Sequence, residues 1–138
     1  MDMEHRSGSP SILACIGEGA GSQDVIRRAA QVAVELGAEL LALHVEPPGA
    51  RTRRAPAASA QLERNLRLAR DLGAYIEVID SHQVVDSIVR FARDHGVQRI
   101  IIGQPRTGGW VRRLRGDIVT RLRRAVSVVI DVVPGAPM

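Results

Sequence analysis

Residues 11–22 read Ser-Ile-Leu-Ala-Cys-Ile-Gly-Glu-Gly-Ala-Gly-Ser. The apolar run Ser11-Ile-Leu-Ala-Cys-Ile16 is short, does not alternate with polar residues, and stops at the glycines Gly17, Gly19 and Gly21. Such a run reads as a buried strand followed by a tight, glycine-rich turn. Ser22 is placed to cap the element that follows, whose apolar residues Val25, Ile26, Ala29, Val32, Ala33 and Leu36 recur at spacings of three and four. That period belongs to an amphipathic helix, and Gly37 closes it.

The same alternation of elements continues outward. Leu40-Leu-Ala-Leu-His-Val45 is a second buried strand, and Pro47 to Pro56 is a Pro/Ala/Arg loop without periodicity. A helix carrying Leu62, Leu66, Ala69 and Leu72 ends at Gly73, and Tyr75 to Ile79 makes a third strand. Val84, Val85, Ile88, Phe91 and Ala92 mark a helix ending at Gly96. Arg99-Ile-Ile-Ile102 is strand four, Gly103 to Arg115 a loop, Ile118, Val119 and Leu122 a short helix, and Val126 to Val133 strand five. Apolar strands alternating with helices predict a parallel sheet covered on both faces. The domain should span 11–134, with polar tails at 1–10 and 135–138.

The charge pattern is uneven. All nineteen basic residues among the 138 are arginine and none is lysine, which excludes a P-loop lysine, a Schiff-base lysine and a Ser-Lys dyad. Seven arginines lie between Arg106 and Arg124 against the single acid Asp117, a net of +6, and the remainder of the chain is slightly acidic. In a parallel α/β sheet, ligands bind beyond the carboxyl ends of the strands where the strand order reverses. The loops Gly17–Gly21, His44–Pro48 and Gly103–Gly116 all fall there. The last opens with glycine after a buried strand and enters a helix at Gly116-Asp117, so free amides and the positive helix end can face an anion. Arg106, Arg112, Arg113 and Arg115 add planar donors suited to phosphate oxygens. The competing reading of the same arginines is a solvated face or an electrostatic contact with another domain.

Other chemistries find less support. Gly-Glu-Gly-Ala-Gly over 17–21 is not the G-x-G-x-x-G of a dinucleotide fold, and serves equally as a tight turn or as backbone close to a ligand. His44 is placed either as a site residue or as a strand-end histidine satisfied by its neighbours. His5, His82 and His95 make no metal-spaced set, Cys15 is alone, and no serine is framed as G-x-S-x-G. Neither H-x-G-H nor S-G-G-x-D-S is present, which argues against an enzyme of the adenine-nucleotide alpha-hydrolase-like group. Tyr75, Phe91 and Trp110 are the only aromatics, too few for a nucleic-acid surface built on stacking. Trp110 could stack on a base or on a guanidinium, or meet a partner domain. No apolar run approaches the ~20 residues of a membrane span, and a lone cysteine fits a reducing, cytoplasmic setting.

Leu41-Ala-Leu-His-Val45, Ile100-Ile-Ile-Gly103 running into a basic loop and Gly116, and the strand–helix order together resemble the universal stress protein (UspA) superfamily. Cys15-Ile-Gly17, Val45-Glu-Pro47, Leu66-Arg-Leu-Ala-Arg-Asp-Leu-Gly73-Ala, Phe91-Ala-Arg-Asp-His95 and Ile102-Gly-Gln-Pro105 through Trp110 to Arg124 are more specifically similar to the UspA-like cytosolic domain of osmosensitive, KdpD-type sensor histidine kinases. The resemblance implies a flavodoxin-like three-layer α/β/α sandwich with a five-stranded parallel sheet in the order 3-2-1-4-5. It implies a homodimer through the last strand, Val126–Val133, and nucleotide contacts at Gly17, His44, Val45, Gly103, Arg106, Arg112, Arg113, Arg115, Gly116 and Asp117. ATP-binding members carry Asp where this chain has Gly17, Gly where it has Arg106, and Ser or Thr where it has Asp117. A carboxylate there repels phosphate, whereas Arg106 strengthens the positive field. The ligand implied is ATP or cyclic di-AMP, in a non-catalytic sensory domain that also meets other domains of a kinase. The alternative is a stand-alone ATP-binding universal stress protein acting as a homodimer.

Overall fold

A computed structural model describes residues 10–103 and 118–134. Nine elements have both ends within them: β1 (Ser11–Cys15), α1 (Ser22–Leu36), β2 (Glu39–Glu46), α2 (Ala50–Arg53), α3 (Pro56–Asp71), β3 (Tyr75–Asp80), α4 (Val84–Asp94), β4 (Val97–Gly103) and β5 (Val129–Val133). Residues 118–125 are helical as well. The strands form one five-stranded sheet in the order β3-β2-β1-β4-β5. All four neighbouring pairs are parallel. The expected α/β sandwich and strand order are therefore observed.

The apolar strands do not alternate in sequence because each side chain, up or down, meets a helix. On β1, β2 and β4 the residues Leu13, Cys15, Leu41, Leu43, Ile100 and Ile102 face α4 (Ile88, Phe91) and the 118–125 helix (Val119, Leu122). Their neighbours Ile12, Ala14, Leu40 and Ile101 face α1 through Val25, Ala29 and Val32. Ile16 and Ala42 meet Ile26 of α1 and Leu62 and Ala69 of α3. Burial of these side chains on both faces supplies roughly 1.5–3 kcal/mol each against the entropy of ordering the chain.

Several boundaries differ from the sequence reading. Ser22 is the first residue of α1 rather than its cap, which is Gly21 with no side-chain cap bond. The Ser22 hydroxyl instead accepts from the Gly17 amide at 2.9 Å, closing the turn on itself. The Pro47–Pro56 loop contains one helical turn, α2. Strand five begins at Val129, not Val126, because the Val126 amide donates to Leu122 O and ends the preceding helix. Val126 and Val128 still pack on the core from this connection, and hence read as strand.

Candidate functional site

The chain runs outward from β1 to β2 and β3 on one side of the sheet, and from β4 to β5 on the other. The connection after β1 leads into α1 on one face, whereas that after β4 leads toward the 118–125 helix on the opposite face. The sheet order reverses at the seam between β1 and β4, and the carboxyl ends of the strands there are the usual ligand position in open α/β sheets.

Gly17, Val45 and Gly103 converge there. In register with Cys15 opposite Leu43, Gly17 falls opposite Val45 one pleat further on. Gly103 closes β4 on the other flank of β1. Leu43 O accepts from the Ile16 amide across the β1–β2 seam. Alternate residues of a strand direct their peptide groups to the same side, so those of Val45 also point to the β1 side, over Gly17. The sequence-predicted Arg106, Arg112, Arg113, Arg115, Gly116 and Asp117, together with Trp110, lie outside the described residues.

His44 is brought to the same end but is committed inward. Its Nδ1 lies 2.8 Å from Ile16 O and its Nε2 2.9 Å from Glu46 Oε1, and both His44 and Glu46 are buried. Both ring nitrogens thus meet oxygen, and the ring ties the end of β1 to β2. Glu46 Oε1 also accepts from Arg54 Nη1 at 2.8 Å, and the same Nη1 reaches Glu18 Oε2 at 3.1 Å. Arg54 Nε donates to Ser59 Oγ of α3 at 3.3 Å. Burial alone would raise the Glu46 carboxyl, but hydrogen bonds from Arg54 and His44, and their charges, hold it below the ordinary carboxylate range. Burial would likewise lower Arg54, and the bonds to Glu46 and Glu18 reverse it, keeping the guanidinium more firmly charged than usual.

The glycine turn has its own support. Asn65, wholly buried on α3, donates through Nδ2 to Gly17 O at 2.9 Å and Gly19 O at 3.0 Å, while its Oδ1 accepts from Gln61. Sequence reasoning did not select Asn65, Glu46, Arg54 or Glu18 as functional residues. Asn65 left a usable sign, a polar residue inside the apolar stripe Leu62, Leu66, Ala69. Arg54 left none, since Arg51, Arg53 and Arg54 look alike until the fold buries only the last. Cys15 is buried in the core with its thiol pushed up to about 12, so it offers no nucleophile at neutral pH. Among the described residues no set of His, Cys, Asp or Glu could hold a metal ion, and no helix is long and apolar enough to cross a membrane.

A groove of about 600 Å³ opens at the opposite end of the sheet, between α1, α3 and the amino ends of β2 and β3. Its one charged lining residue is the acid Glu39, so it does not suit an anion.

Comparison with known proteins agrees with this fold. Over 103 residues the chain is 37% identical to the sensor protein KdpD of Escherichia coli, covering 75% of this chain and 11% of that one. It is 30% identical over 123 residues to the sensor protein KdpD of Clostridium acetobutylicum, covering 88% and 13%. The chain thus spans about a tenth of those relatives' length. Among solved structures, a universal stress protein in complex with cAMP superposes with a TM-score of 0.69 at 18% identity, covering 93% of this chain and 98% of that one. The universal stress protein of Archaeoglobus fulgidus in complex with dAMP gives 0.65 at 20% identity, covering 92% and 98%. At such identities these two share the fold. The family model for universal stress proteins matches residues 9–134, from the strand-one run to the end of strand five, and on that span the chain belongs to the universal stress protein family.

Proposed function

We propose that the chain is a non-catalytic, nucleotide-binding regulatory domain of a KdpD-type, potassium-responsive sensor kinase in the cytoplasm. The observation that carries this is that Gly17, Val45 and Gly103 come together at the carboxyl ends of the strands, where the sheet order reverses between β1 and β4. The likeness to two KdpD sensor proteins supports the kinase setting, and the cAMP and dAMP complexes of fold relatives support a nucleotide. In this reading ATP or cyclic di-AMP sits above Gly17 and Val45, and the phosphates are met by the segment from Gly103 to Asp117 with Arg106, Arg112, Arg113 and Arg115. His44 holds the floor of the site from behind.

The test is titration of the isotope-labelled chain with ATP and with cyclic di-AMP, read at the amides of Gly17, Val45 and Gly103–Asp117. One of the two should shift these amides, and replacing Arg112, Arg113 and Arg115 together by alanine should weaken that ligand at least about tenfold, the scale of lost charge-assisted bonds. In this reading the three arginines serve the ligand and not the core, so melting should change within about 1 kcal/mol for each. Asp117→Ser should improve ATP affinity. Unmoved amides with both nucleotides would leave the arginines as a contact for an acidic surface of another kinase domain.

A second reading, a stand-alone homodimer, is favoured by one observation. β5 is an edge strand with Val129 54% exposed, an open edge of the kind that pairs with a second copy. Sedimentation of the chain with Val129→Lys decides it: loss of a dimer supports pairing through β5, and a monomer in the unaltered chain removes it.

A further inference from the structure

The guanidinium of Arg54 has five N–H donors. Nε is taken by Ser59, and Nη1 by Glu46 and Glu18. No described residue takes Nη2. Because no buried side-chain nitrogen or oxygen among the described residues lacks a partner, Nη2 must reach solvent although the Arg54 side chain is only 7% exposed. A largely buried cation therefore presents one open amino group at the strand ends, beside the turn that carries Glu18.

Its two carboxylate partners are not equivalent. Glu46 is buried, shared with His44 and 2.8 Å away, whereas Glu18 is 3.1 Å away with its side chain 42% exposed. The backbone on either side of Glu18 is pinned, Gly17 O and Gly19 O by Asn65 and the Gly17 amide by Ser22. The Glu18 carboxylate can swing away without moving the turn, while Glu46 cannot leave without stranding a buried cation.

We propose that Arg54 is an oxyanion-binding point in which a phosphoryl group displaces Glu18 and takes the Nη1–Nη2 side of the guanidinium as a two-pronged partner. Glu18 is then an internal stand-in that keeps Arg54 charged and in place while the site is vacant of anion. The exchange is favoured because a phosphoryl group offers two oxygens to a planar fork where Glu18 offers one. Glu46, itself fixed by His44, holds the guanidinium throughout, so the anion meets a fixed donor set. This adds a contact to the nucleotide site proposed above, and rests on that reading only for the identity of the ligand, free phosphate or nucleotide.

The experiment follows the Arg54 Nε–H and the Glu18 amide by NMR during separate titrations with pyrophosphate and with ATP. The chains compared are the unaltered one, Glu18→Gln, Arg54→Lys, the Arg112/Arg113/Arg115 triple alanine variant, and Glu35→Gln at the far end of α1 as a charge control. Pyrophosphate should move both signals. Glu18→Gln should bind it about fivefold more tightly, the scale of one exposed ion pair removed, and Glu35→Gln should not. Arg54→Lys keeps the charge, loses the fork, and should bind about tenfold more weakly. An Arg54 signal unmoved at millimolar pyrophosphate, or equal affinity in the unaltered chain and Glu18→Gln, overturns the proposal. If pyrophosphate behaves as expected and ATP binds no variant, the nucleotide reading fails and the Arg54 site stands. If ATP shifts Gly103–Asp117 in the unaltered chain but leaves Arg54 still, the Arg54 site fails and the nucleotide reading stands.

Discussion

At the scale of single residues, Glu46 holds the Arg54 guanidinium and the His44 ring out of water, so its charge matters more than its size. Glu46→Gln keeps the shape but leaves the Arg54 guanidinium short of its buried counter-charge, and should cost roughly 3 kcal/mol in urea denaturation at pH 7. The pH dependence has a definite sign. The unfolded chain takes up this proton near the ordinary value of about 4.3, while the folded chain resists it to lower pH. The unfolded state binds more protons between the two, so the contribution is complete above about pH 5 and lost as pH falls through the folded value. The drop in unfolding free energy from about pH 5 downward should be smaller in Glu46→Gln than in the unaltered chain. Cys15, with its thiol near 12, should resist iodoacetamide at pH 8 in the folded chain and react once the chain unfolds; fast labelling of the native protein would contradict its burial. His44 was legible as a strand-end residue, but not its pairing with Glu46 two residues on. Strand alternation puts both on one face, yet only burial turns that into a hydrogen bond.

At the scale of elements, the strands that lie between two others were the easiest to read. β1 and the centres of β2 and β4 are apolar because both faces are covered, while the polar ends Glu39, Glu46, Gln98 and Arg99 blurred the limits of β2 and β4. The edges were harder: β5 starts three residues later than its apolar run suggests, since Val126 and Val128 bury themselves from a connection. α2 has no periodic pattern to detect, being a single turn held through the adjoining Arg54. These differences give opposite predictions for two substitutions near one another. Ile101→Ala, at a fully buried position of β4 against α1, should cost about 2–5 kcal/mol in denaturant unfolding. Arg28 of α1 bonds Asp131 of β5 at 3.1 Å but is half exposed, so Arg28→Ala should change stability by no more than about 1 kcal/mol.

At the scale of the whole molecule, element order gave the parallel α/β class, while the strand order 3-2-1-4-5 came from the resemblance to universal stress proteins. The observed sheet reverses its order between β1 and β4, the position at which open α/β sheets take their ligands. What the order could not supply was the quartet Glu18, His44, Glu46 and Arg54, whose members come from three separate connections or strands and meet only when β1 and β2 are in register. The adjacency of β1 and β4 has a temporal side as well. Ile12 to Ala14 pair with Arg99 to Ile101, more than eighty residues later in the chain. During synthesis the first three strands leave the ribosome with one side of β1 unpaired until that distant partner emerges. A chain cut after residue 96 should therefore aggregate rather than fold cooperatively, as solubility and circular dichroism would reveal. The strand that lies at the centre of the finished sheet is thus the sticky margin of the growing one, and slow translation between residues 46 and 97 would prolong its exposure to other nascent chains.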